Sequence, residues 1–140
     1  MDIFKSYENT SIYLLATSLL FIIPVIMTIY NKQWLLSSAC IFIFISSTLH
    51  HSTRTHFSWY IDKFACYYLA GVSILYAIQY HMLYILIPLI TYILFIYYYG
   101  YYTKCLCFHE DTRVNEYWHS TIHIFSALLL TYASYFISSK

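Results

Sequence analysis

Five side chains of this chain, Ser47, His51, Asp62, His119 and His123, are of the types that hold a metal ion and work with the water on it. His119 and His123 are four residues apart, a spacing that on a helix sets both imidazoles on one face, about 6 Å apart along the axis. A neutral imidazole pair so arranged can grip one cation, with nitrogens about 2.0–2.1 Å from a zinc ion. Two ligands make a poor site. A third imidazole, His51, would complete the three-His arrangement that leaves a fourth position open for water. Ser47 lies one turn from His51 on the same helix face and could hydrogen-bond that water or a ligand, and Asp62 could accept its proton. A zinc ion held this way lowers the pKa of water from about 15.7 towards 7, so the chemistry in question is hydrolysis.

The surroundings of these residues are apolar. Hydrophobic residues make up 61% of the 140 and charged residues only 9%, against about 25% charged in soluble domains. That composition describes an integral membrane protein, and in a membrane segment an ionisable side chain is costly enough to count as a functional hypothesis by default. The formal charge is +1, with Lys and Arg scattered along the chain, which leaves no electrostatic footprint for nucleic acid. Cysteine chemistry is equally thin. Cys40 and Cys66 lie in apolar stretches, where the residue behaves as a small hydrophobe, and Cys105-x-Cys107 with His109 lacks the second Cys pair of a structural zinc site.

About 20 apolar residues cross the roughly 30 Å hydrocarbon core as a helix. Charge-free windows of that length predict an all-α bundle of about five transmembrane helices in a single domain over 1–140, at about 11–30, 34–52, 58–80, 83–102 and 117–137. Pro24 falls in the first, where a membrane helix tolerates it as a kink. This stretch is too long for a secretory signal and lacks its small-residue cleavage site. Between Lys63 and Lys104 there is no formal charge, so the third and fourth helices are divided at the polar break Gln79, Tyr80, His81. Trp34, Trp59 and Trp118 each stand near a helix start, as indole rings do at a membrane interface. The largest loop is expected between Thr103 and Glu116. The tyrosine-rich run Tyr97 to Tyr102 suits interfacial belts and helix contacts and needs no catalytic explanation.

Counting spans from the N-terminus, the end of the second helix, the start of the third and the start of the fifth fall on one side of the membrane. His51, Asp62 and His119 therefore share a side. Lys5, Arg54, Lys63, Lys104 and Arg113 fall there too, with Lys32 and Lys140 on the other. The positive-inside rule assigns the richer side to the cytosol, so the N-terminus and the site are expected to face it.

In this order, Ser47-x3-His51, Asp62 eleven residues later, and His119-x3-His123 opening the last helix, the motifs resemble the signature of the CREST superfamily. That superfamily comprises the alkaline ceramidases, the adiponectin and progestin receptors with hemolysin III, and membrane proteins of GPI-anchor remodelling. The stretch Tyr117-Trp118-His119-Ser120 through His123 is also similar to the last-helix motif of several members. The resemblance covers the second, third and last helices. It implies zinc bound by His51, His119 and His123, with Ser47 and Asp62 as polar partners of the water, and a lipid amide or ester, ceramide-like, as substrate at the membrane edge. Members usually have seven helices. Five make this chain a shortened version of the fold, without walls that would enclose a lipid cavity, which a second copy could supply. The register is also ambiguous: Ser46-x3-His50 fits the first motif as well, and the distance to Asp62 favours His51. A structural or vestigial metal in a non-enzymatic membrane protein that binds lipid or a partner is the alternative function. A third reading has no metal, with polar residues that only join helices and an Asp62 paired with Lys63 or Arg54.

Overall fold

The structure, a computed structural model, describes residues 11–139; Lys5, Lys140 and the N-terminal residues used in the charge count lie outside them. The described residues contain no strand. They form five helices long and apolar enough to cross a membrane: α1 (Ile12–Tyr30), α2 (Trp34–Thr53), α3 (His56–Gln79), α4 (Leu83–Thr103) and α5 (Thr112–Ser138). Connections are short, so consecutive helices run antiparallel. The packing is a closed ring in which α1 touches α2 and α5, α2 touches α3, α3 touches α4, and α4 touches α5.

Small and branched side chains fill the ring's interior. Phe21 and Val25 of α1, Leu36, Ala39, Cys40 and Ile43 of α2, Ala65 and Val72 of α3, and Ala127 and Leu130 of α5 form one buried cluster. Large apolar residues such as Ile12, Ile26, Phe64, Leu75, Tyr84, Ile87 and Leu128 are exposed around the outside, the surface a lipid bilayer covers. Four helix ends are closed by non-glycine residues in the left-handed region, Lys32 (φ 54°), Arg54 (φ 51°), His81 (φ 57°) and Lys104 (φ 54°). Each such residue costs about 1–2 kcal/mol in backbone sterics. With only two glycines in the chain, other side chains take these positions, and at Lys32, Arg54 and Lys104 a cation also complements the negative end of the helix dipole.

Pro24 removes one donor from α1, and Leu20 and Phe21 turn between two helical pieces. The carbonyl that Pro24 would have served is satisfied: the Ile23 N–H donates to Leu20 O at 3.1 Å. Two helices begin earlier than their apolar windows. Thr55 and Ser58 form a reciprocal capping box that starts α3 at His56. The Asp111 carboxylate accepts from the Arg113 N–H at 2.8 Å and starts α5 at Thr112. The polar first turn of α5 thus takes up part of the expected loop, and a short 3₁₀ turn, Leu106–Phe108, occupies much of the rest. That turn tucks Cys107 against Ile96 and Ile122. Burial pushes the Cys107 thiol up to about 12, against a smaller opposing effect of Lys63, so it is a neutral apolar filler at pH 7.

In α4 the helix widens into a π-turn over Phe95–Tyr99, a departure from the plain helix expected at 83–102. It closes on Gly100, where the chain folds back so tightly that a Cβ would stand 2.7 Å from the Cys105 carbonyl oxygen. The Cys105 N–H donates to the Gly100 carbonyl at 3.1 Å in the same contact. Gly100→Ala is therefore expected to lower stability by about 1–3 kcal/mol, the usual cost of overpacking. Gly71 has nothing within 4 Å of such a Cβ. Gly71→Ala should leave thermal unfolding in detergent unchanged or slightly raised, since alanine is the better helix former by about 1 kcal/mol.

Candidate metal centre

Three helices meet at one end of the ring and bring the polar residues together. The last turns of α2 carry Ser46, Ser47, His50 and His51, all buried. Two registers of the same helix face different neighbours, which separates the two possible first motifs. Ser46 donates to Asp62 Oδ1 of α3 at 3.2 Å, and the His50 Nδ1 lies 3.3 Å from Ser58 Oγ. One position further along, Ser47 Oγ is 3.0 Å from Ser18 Oγ of α1, and His51 points into the ring towards α5.

There His51 meets His119 and His123. The ring centroids are 5.3 Å apart for His51 and His119, 5.1 Å for His51 and His123, and 5.0 Å for His119 and His123. One nitrogen from each ring lies within 4.8 Å of the others. Nitrogens bound to a single ion at about 2.0–2.1 Å stand about 3.3–3.6 Å apart, so small side-chain rotations close the triangle. Among the described residues no Cys, Asp or Glu joins this group. Three imidazoles without a fourth protein ligand are the donor set of an open zinc site.

His51 gives the strongest test of fit. Its side chain is 0% exposed, yet neither Nδ1 nor Nε2 has a hydrogen-bond partner. Buried polar atoms are paired as a rule, and leaving one bare costs about 1–3 kcal/mol. Packing alone gives no reason to keep an imidazole here, whereas a cation bound between the rings would use one of those lone pairs.

A cleft of about 810 Å³ opens beside the group, within the range of about 300–1,000 Å³ typical of ligand pockets. His119 and Asp62 both line it, together with His50, Arg54, Lys63 and Tyr97. His51 and His123 lie behind, almost fully buried, so His119 is the face that the triad presents to the cleft. Asp62 accepts from Ser46, while Arg54 reaches Glu116 of α5 at 3.9 Å and the Lys63 ammonium lies over the Tyr97 ring, 5.0 Å from its centroid.

Some members of the site carried no signal in the sequence. Thr17 and Ser18 of α1 approach the His123 Nδ1 to 3.1 and 3.4 Å. Tyr97, within a tyrosine run that invites a purely interfacial reading, is turned inward by the π-turn to stand 6.3 Å from His119, while Tyr98 and Tyr99 face outward. Glu116 falls in the stretch expected to be loop. Ser47 is buried and joined to α1 through Ser18. No protein family, no curated protein and no solved structure matches the chain.

Proposed function

We propose that this chain is a zinc-dependent membrane hydrolase that acts on a lipid amide or ester, ceramide-like, at the cytosolic edge of the membrane. One observation carries the reading: three imidazoles from two helices converge around a fully buried His51 whose nitrogens have no protein partner, next to a ligand-sized cleft. Zinc bound there would supply a water nucleophile at neutral pH and polarise a carbonyl. His51, His119 and His123 hold it. Asp62, on the cleft wall and fixed by Ser46, takes up the proton lost by the attacking water and returns it to the leaving group. Arg54 and Lys63, with Lys104 and Arg113 near the same end, support the cytosolic assignment by the positive-inside rule. A substrate at that depth presents its headgroup linkage, which selects amides and esters near the interface over the acyl chains.

A structural metal is the second reading, and Ser47 favours it: its hydroxyl engages Ser18. The open donor set, without a fourth protein ligand among the described residues, weighs the other way. The test is zinc content and hydrolysis on the full chain purified in detergent, with short-chain ceramide and a matched ester as probes. The expected result is about one zinc per chain, turnover of at least one probe, and loss of turnover on chelation that zinc restores. Zinc without turnover of either would move the protein to the structural reading; protein that takes up no zinc would exclude both.

A further inference from the structure

α1 contains none of the residues that the motifs single out, yet its inward face is directed at one imidazole. Thr17, Ser18 and Phe21 share a side of the helix. Thr17 Oγ1 is 3.1 Å and Ser18 Oγ 3.4 Å from the His123 Nδ1, and the Phe21 ring meets the imidazole edge-on with centroids 5.8 Å apart.

Both hydroxyl protons have destinations elsewhere. Thr17 donates to the carbonyls of Tyr13 at 3.0 Å and Leu14 at 3.2 Å, and Ser18 donates to the Leu14 carbonyl at 2.7 Å. A hydroxyl has one proton and two lone pairs, so each oxygen has only a lone pair left for His123. With both protons on those carbonyls, Nδ1 carries the ring hydrogen and donates it. In a neutral imidazole the free lone pair is left on Nε2. The 3.0 Å contact between Ser47 and Ser18 follows the same logic, with Ser47 donating because the Ser18 proton is already used.

We infer that Thr17 and Ser18 are positioning residues that lock His123 in the Nδ1–H tautomer and so present Nε2 as its ligand atom, with Ser47 supporting them through Ser18. Metal-binding imidazoles commonly donate their second N–H to a fixed acceptor, which sets the tautomer and ring orientation, and loss of that acceptor weakens metal binding about 10–100-fold. Here hydroxyls of a neighbouring helix take that place. The consequence for zinc rests on the hydrolase reading; the tautomer does not.

Two measurements on the full chain in detergent test it. Zinc affinity, read by competition with a chelator, should fall about 10–100-fold in the Thr17→Val/Ser18→Ala double variant, less in each single variant, and return close to the parental value in Thr17→Ser. Imidazole nitrogen NMR of the zinc-free protein, with the His123 signal assigned by its loss in His123→Ala, should show Nδ1 protonated in the parent and a shift towards Nε2–H in the double variant. Parental zinc affinity in a double variant of unchanged helix content would overturn the inference. So would a loss in Thr17→Ser equal to that in Thr17→Val, or an Nε2–H tautomer in the parent. If the parent takes up no zinc, the hydrolase proposal fails, and the nitrogen spectrum alone decides the tautomer: Nδ1–H upholds it and Nε2–H refutes it.

Discussion

Replacing His51 with leucine is expected to abolish zinc binding and, in the zinc-free protein, to raise stability. The two effects share one cause. His51 is completely buried with both ring nitrogens bare of hydrogen-bond partners, a state that costs about 1–3 kcal/mol when no ion is bound. Leucine fills a comparable volume without polar atoms, so the zinc-free variant should gain about 1 kcal/mol, read as a higher unfolding temperature in detergent. Zinc added to the parent should raise its unfolding temperature past that of the variant, because an ion that binds only the folded state stabilises it by mass action. The variant should show no response to zinc. His50→Leu is the control: its imidazole faces Ser58 and lies outside the three-ring group, so that variant should keep its zinc. A His51→Leu protein that retains zinc at the parental ratio would remove His51 from the site. A zinc-free variant less stable than the zinc-free parent would show that the imidazole is a packed core residue whose polar atoms are satisfied in some other way.

How much of this was legible in the sequence depends on which interactions leave a local trace. Apolar length does, so the five spans stand out as charge-free windows and the described residues form five helices of that kind. Helix starts do so less well, because Thr55 and Asp111 cap helices through polar residues that a hydropathy reading takes for loop. The π-turn at Phe95–Tyr99 has no compositional signature, and with it goes the inward turn of Tyr97. At the site, the pair His119 and His123 is visible as a helical repeat. The choice between Ser46-x3-His50 and Ser47-x3-His51 is only faintly so, through the distance to Asp62, because adjacent residues differ mainly in which neighbour they meet: α3 for the first pair, α1 and α5 for the second. The same reason hides Thr17 and Ser18. Small hydroxyl residues are ordinary in membrane helices, and their meaning here comes from the closing of the ring that sets α1 against α5.

Asp62→Asn is expected to leave zinc content intact and to reduce hydrolysis by about 10²–10⁴-fold, the usual worth of a positioned general acid–base group. The separation follows from placement. Asp62 does not belong to the group of mutually close ligands, yet it lines the cleft that His119 faces. Asparagine keeps the shape and can still accept from Ser46, which holds the carboxylate at 3.2 Å, so the loss would be one of proton transfer rather than architecture. Ser46→Ala then makes a graded comparison: the carboxylate remains but loses its tether, and the cost should be smaller than that of Asp62→Asn, since the acid–base group itself survives. If Asp62 were instead a fourth ligand, Asp62→Asn would weaken zinc binding along with activity, and if it only joined α3 to α2, Asp62→Ala, which removes the acceptor for Ser46, would lose stability while both variants kept turnover per folded molecule. Zinc ratio, unfolding temperature and turnover, measured on the same preparation, assign Asp62 to one of these three roles because each moves a different quantity first.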